Sequence, residues 1–198
     1  MIRAAVTVLL AVTLSGCWTA EKQLFTAAHL TQPAGLEGSF ISEDAAGQEQ
    51  GTVVLTRRPD GLIEGTVTPK EGPAPRQSAI GFAAIPGGSG RYFLMVNRAN
   101  EPGRNGELYL LARWSDERLE AFWPQCAGTP DMPGMKREEI EIVKQSYCTF
   151  ASREAVLRAA LLAERELETK RLFEHQLLGR LKRAQENPAP TPEPEPED

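Results

Sequence analysis

The spacing of apolar positions changes three times along the chain. Residues 4–14 form an apolar run broken only by Thr7 and Thr13, behind a single positive charge at Arg3. From Ala20 to Leu30, Leu24, Phe25, Ala28 and Leu30 fall at roughly helical spacing, which predicts a short helix ended by Pro33 and Gly35. From Leu36 onward the apolar positions alternate as they do in strands. Leu36–Ser42, Gly51–Arg57, Leu62–Thr68, Ser78–Pro86, Arg91–Asn97, Glu107–Trp114, Arg118–Trp123 and Glu139–Lys144 are the candidates. The sharpest hairpin signal is Arg58-Pro59-Asp60-Gly61, because Pro presets φ, Asp bonds its own backbone and Gly accepts positive φ. On the strand that follows, Ile63, Gly65 and Val67 share one face and Glu64, Thr66 and Thr68 the other, the alternation of a sheet with one dry side.

After residue 150 the period becomes helical again. Ser152 is a favoured cap, and Pro188 lies beyond about Glu186, so the pattern predicts one long helix over 151–186. Val156, Ala160, Ala163 and Leu167 form a stripe that suits docking on the sheet. Leu172, Phe173, Leu177 and Leu181 spread around the predicted helix, a surface that either packs on the domain, pairs with a second copy or receives an envelope protein. Residues 187–198 alternate Pro with acidic side chains, a composition that does not form a core. The fold class expected is mainly β with a C-terminal helix: an antiparallel eight-strand meander over 36–150, curled or closed into a small barrel. Closure is favoured because it leaves no unpaired edge.

The first apolar run is too short to cross a hydrocarbon core, which takes roughly 20 residues, and its charged start fits a secretory signal segment. It ends in Leu14-Ser15-Gly16-Cys17, which resembles the lipobox of bacterial lipoproteins. That resemblance implies removal of residues 1–16, diacylglyceryl transfer to the Cys17 thiol and acylation of its new amino group. The residue after the Cys is Trp18 rather than Asp, which in diderm members of the family implies the outer membrane, facing the periplasm. Residues 17–35 then comprise the lipidated N-terminus and the short helix. An anchor of two or three chains is effectively permanent, since each buried CH₂ contributes ~0.8 kcal/mol.

The formal net charge is −5, and Glu193, Glu195, Glu197 and Asp198 crowd the C-terminus. With no basic excess to displace counterions, nucleic acid is not an expected partner. Besides Cys17 the cysteines are Cys126 and Cys148. In an exported, oxidising compartment an even pair reads as a disulfide. Metal ligation is the alternative, but no CxxC or nearby His accompanies them.

Chemistry-bearing patterns are sparse, and no metal, cofactor or enzymatic activity is expected. His29 and His175 stand far from one another and from any ligand-like spacing. Gly87-Gly88-Ser89-Gly90 lacks both the Lys-Ser/Thr of a P-loop and the order of a nucleophile elbow, so it reads as a turn. Glu138 and Glu139 are adjacent and point to opposite faces of a strand, which gives no acid–base pair. The aromatic residues Tyr92, Tyr109, Trp114 and Trp123 come from three consecutive strands, with Phe93 and Phe122 beside them. They are either ordinary core or the lining of an apolar ligand cavity, which eight-stranded barrels can enclose. Gly38-Ser39-Phe40 on the first strand, the meander and the terminal helix together resemble the lipocalin order of elements, with Phe40 where that family has Trp. The resemblance implies a carrier of a small apolar molecule or lipid. Two functions follow as expectations: a non-enzymatic lipoprotein acting through protein contacts at the envelope, and a lipocalin-like carrier.

Overall fold

The computed structural model of the protein describes residues 18–72, 74–98, 106–115, 117–124, 126, 134–143, 147–170 and 177–184. The signal segment, Cys17, Leu172, Phe173, His175 and the acidic tail lie outside the described residues. The strands are β1 (Trp18–Ala20), β2 (Gly38–Asp44), β3 (Glu49–Arg57), β4 (Ile63–Pro69), β5 (Arg76–Ala84), β6 (Tyr92–Arg98), β7 (Glu107–Ser115), β8 (Arg118–Phe122), β9 (Ile140–Val143), β10 (Tyr147–Phe150) and β11 (Leu177–Arg183). One helix, α1 (Arg153–Lys170), precedes β11. No helix among the described residues is long and apolar enough to cross a membrane.

Strands β2 to β8 pair in sequence as antiparallel hairpins. β11 then enters between β8 and β2, so that eight antiparallel strands close into a barrel. The β3–β4 turn forms as its residues dictate. Arg58 and Leu62 bond across it (N–H to O, 2.8 Å), Asp60 Oδ1 accepts from Leu62 N–H (3.2 Å), and Gly61 takes φ 80°. The Ile63/Gly65/Val67 face of β4 points inward, opposite Val53 and Leu55 of β3.

The C-terminal region departs from its sequence pattern. The helix predicted over 151–186 ends at Lys170, and Leu177–Arg183 form a strand. Gly179 in a helix interior is disfavoured by ~1 kcal/mol relative to Ala. As β11, Leu177 reaches the outer core, the register shifts before Gly179, and Leu181 then points into the barrel between the outward Arg180 and Lys182; the strand satisfies the open edges of both β8 and β2. Leu177 and Leu181 are therefore buried in the domain, on a strand where a helix was expected. The last predicted strand, Glu139–Lys144, exists as β9 but pairs with β10 beside the barrel instead of closing it.

Residues 17–35 also depart from expectation. In place of a helix over residues 20–30 there is strand β1 and a single 3₁₀ turn, Ala27–His29. β1 runs antiparallel to Glu107–Tyr109 of β7 and parallel to β10, while β8 takes the remainder of the same β7 edge from Leu111 to Ser115. β1 and β8 thus lie end to end along one strand.

Two cores result. Phe40, Val53, Leu55, Ile63, Phe82, Met95, Leu110 and Leu181 fill the barrel interior. Outside the wall of β6 and β7, Tyr92, Leu94, Val96, Tyr109 and Leu111 pack against Trp18, Phe150 and α1. α1 contributes Ala155, Val156, Ala159, Ala160, Ala163 and Leu167 to this second core, and Ser152 Oγ accepts from Ala155 N–H (3.2 Å) at its start. Cys126 and Cys148 are disulfide-bonded, Cα–Cα 5.3 Å, and tie the segment after β8 to β10.

Candidate functional site

The barrel interior is the first place to look for a ligand. Its lining is aliphatic, with Val53, Leu55, Ile63, Ile80, Met95 and Leu181 converging on a gap bordered by Gly65, Ser78 and Gly179. The small residues leave the gap, since a Cβ on Gly65 would stand 3.4 Å from Leu55 Cδ2 and 3.6 Å from Ser78 Oγ, ordinary contact distances. The cavity measures about 20 Å³. The interior is thus packed nearly shut.

One end of the barrel is closed by a side-chain lid. The Arg183 guanidinium lies 5.0 Å from the Phe40 ring centroid, a cation–π contact. It donates to Glu37 O (3.1 Å) and to Gly35 O. Trp114 packs edge-on against Phe40 with centroids 6.1 Å apart, and its Nε1–H donates to Ala34 O (2.9 Å). Residues Ala34–Glu37 are thereby held across the opening, with Leu36 buried beneath them.

The four aromatic residues that the sequence leaves open between core and cavity lining belong to the two cores and do not meet at the gap. Tyr92 and Tyr109 point outward into the second core, where Tyr92 packs near Phe122 and Tyr109 near Phe25. Trp114 belongs to the lid, and Trp123 packs at the margin of the interior cluster. None of the four borders the gap. The physical reason is that β6 and β7 are covered on both faces, so an outward aromatic is as dry as an inward one.

Sequence reasoning missed the buried charges. Glu107 is almost wholly buried, and its Oε2 accepts from Leu24 N–H (2.8 Å), Phe25 N–H (3.3 Å) and Tyr109 O–H (2.8 Å). Arg98 approaches its other oxygen at 3.6 Å and donates through Nη2 to Phe25 O (2.6 Å). Burial and the Glu107 carboxylate together push the Tyr109 phenol above its usual range. Glu164 on α1 accepts from Ser89 N–H (2.7 Å), so Gly87-Gly88-Ser89-Gly90 is a turn clamped to the helix. A Cβ on Gly88 would collide with Glu164 Oε2. On the outer wall, Glu120 takes Arg113 on one oxygen and Arg180 on the other (3.4 Å), linking β7, β8 and β11. Each of these groups clamps one element to another, a structural use of charge. Among the described residues no cluster of His, Cys, Asp and Glu is arranged to hold a metal ion.

The fold and these contacts define the chain as a closed eight-stranded antiparallel barrel with a strand-and-helix layer over one wall. Comparison with protein families, curated proteins and solved structures finds no match.

Proposed function

We propose that the chain is a lipid-anchored, non-enzymatic protein of the bacterial envelope that works through contacts made by its outer surface. The observation that supports this reading best is the nearly filled barrel, whose gap of about 20 Å³ offers a cargo little room. The membrane partner follows from the lipobox-like Leu14-Ser15-Gly16-Cys17. Trp18, the next residue, is fully buried and paired to both β7 and β10. Successive Cα atoms are about 3.8 Å apart. The tether between acylated Cys17 and the folded domain is accordingly a single peptide unit, and the barrel rests against the bilayer. Trp18 in place of Asp after the Cys supports the outer membrane as that bilayer in a diderm cell, with the domain facing the periplasm. The test is fractionation with intact mass: the native chain should be membrane-bound with the added mass of its acyl chains, and Cys17→Ser should release it. A soluble native chain starting elsewhere than Cys17 rules the reading out.

A second reading, the lipocalin-like carrier, draws on the mostly apolar border of the gap and on Phe40 of Gly38-Ser39-Phe40 beneath the Arg183 guanidinium. It requires the walls to part around a slim acyl chain. A fluorescent fatty acid should then bind saturably to the native protein and fail to bind Gly65→Leu, which fills the gap. No saturable binding to the native protein dismisses the carrier.

A further inference from the structure

Ile142 and Val54 are the two large apolar side chains left exposed among the described residues, at 52% and 44%. Val54 stands on β3, which lies four strands from β7 in either direction around the barrel. Ile142 stands on β9, the last strand of the sheet. Register ties Ile142 to the start of the domain. It pairs with Cys148 of β10, Cys148 with Trp18 of β1, and Trp18 with Tyr109 of β7, so the four lie in one row. Neighbouring strands are ~4.8 Å apart, which puts the Ile142 backbone about 10 Å from that of Trp18. On the side from which the chain enters β1, Val143 and Tyr147 pair in the next row, both half-buried. Strand alternation turns Glu141 to the face opposite Ile142, where it pairs with Thr149.

We propose that this end of the β9–β10 pair is the domain's membrane-contact surface, with Ile142 seated among the headgroups and upper acyl chains of the bilayer that holds the anchor. It rests on the proposed lipidation of Cys17, and adds which part of the domain the bilayer meets. Cys17 precedes Trp18 by one residue, so their Cα atoms are ~3.8 Å apart. A domain on so short a tether pivots about Trp18. Side chains near the pivot stay close to the lipid at any tilt, whereas those across the barrel reach it only if the domain lies over. Trp18 itself is fully buried and offers the bilayer nothing. Ile142, in the same row, is apolar and uncovered, and such a side chain is stabilised by moving from water to the acyl boundary. An uncovered apolar residue on a terminal strand is also a pairing hazard, which proteins ordinarily blunt with charge. A bilayer alongside shields it from neighbouring chains. Val54 has similar exposure on the strand across the barrel from β7, which makes it the internal control.

The experiment puts a photoreactive benzoylphenylalanine in place of Ile142, in the full chain made with its signal segment, and irradiates intact cells. Mass spectrometry of the digested chain reads phospholipid adducts at that residue, and a gel reads adducts to protein. The probe in place of Ile142 should take up phospholipid several-fold more than the same probe in place of Val54. The probe in place of Val143, in the neighbouring row, should do so as well, and it keeps the test decisive if bulk at Ile142 disturbs β9. Equal lipid adducts at the Val54 and Ile142 positions overturn the proposal. So do protein adducts in place of lipid at Ile142, or no lipid adduct at either Ile142 or Val143. The N-terminal peptide of the same sample reads the anchor. An acylated Cys17 without lipid at Ile142 or Val143 removes this surface alone, whereas an unmodified N-terminus removes the anchor and the surface together.

Discussion

Glu107→Ala tests whether the buried carboxylate holds the N-terminal segment onto the barrel. In the native fold one oxygen takes Leu24 N–H, Phe25 N–H and Tyr109 O–H. Removing it strands those donors. Leu24 is only partly buried and recovers water, whereas Phe25 and Tyr109 are fully buried and do not. At ~1–3 kcal/mol for each stranded donor, the expected loss is about 2–6 kcal/mol. That is a large share of the ~5–15 kcal/mol that stabilises most domains. For a chain of this size, ~4 kcal/mol corresponds to a fall in Tm of roughly 8–16 °C. Glu107→Gln keeps an acceptor oxygen in place and should lose less than half as much. The assay is thermal and urea unfolding of both variants beside the native protein. A fall in Tm of less than about 3 °C for Glu107→Ala refutes the reasoning, because it means that the segment is held by apolar packing alone.

The remaining predictions concern the same two cores. Burial and Glu107 keep the Tyr109 phenol protonated in the fold at pH values where the unfolded chain, with its ordinary value of 10.0, releases the proton. The folded state then binds more protons, so stability is fully present below pH 10 and falls above it. Tyr109→Phe should flatten the alkaline limb of a stability–pH profile by about 1.4 kcal/mol per pH unit. Reducing Cys126–Cys148, which are separated by 22 residues, should lower the urea unfolding free energy by ~3 kcal/mol in the chain-entropy view, and an unchanged midpoint in reductant contradicts it. Gly65→Ala should raise stability by ~0.4–1 kcal/mol, since its Cβ enters the gap at contact distance and the unfolded chain is restricted. Gly179→Ala should lower it by ~1–3 kcal/mol, because its Cβ would lie 2.8 Å from Glu43 O. Equal effects at the two glycines rule out the cavity placement.

The barrel was legible wherever polarity alternated against a turn of definite chemistry. Ile63, Gly65 and Val67 after Pro59-Asp60-Gly61 announce both their strand and its inward face. The closing strand was not legible in the same way, because Leu177, Leu178, Arg180, Leu181, Lys182 and Arg183 are strong helix formers without a β-branched residue. Gly179 was the one local signal against a helix there. What decides the matter is tertiary, since β8 and β2 each leave an edge that β11 fills.

The candidate site was less legible still. The runs Tyr92–Val96 and Leu108–Ala112 are apolar without alternation, a pattern of strands buried on both faces. Alternation alone cannot say which face of such a strand looks inward, so the sequence leaves Tyr92 and Tyr109 open between core and cavity lining, and the structure puts them in core, away from the gap. The layer that dries their outer face is assembled from β1, β10 and α1, which lie far apart in sequence. The lid has the same character, since Arg183 meets Gly35, Glu37 and Phe40 only after the barrel has closed.

The central proposal is that the folded domain begins at Trp18, one residue after a lipid anchor at Cys17. Its most direct test is mass spectrometry of the N-terminal peptide from the membrane fraction of cells making the full chain. The account predicts a peptide beginning at Cys17, bearing a diacylglyceryl group on the thiol with or without a third acyl chain, and joined directly to Trp18. An unmodified N-terminus at any other residue, recovered from the soluble fraction, contradicts it.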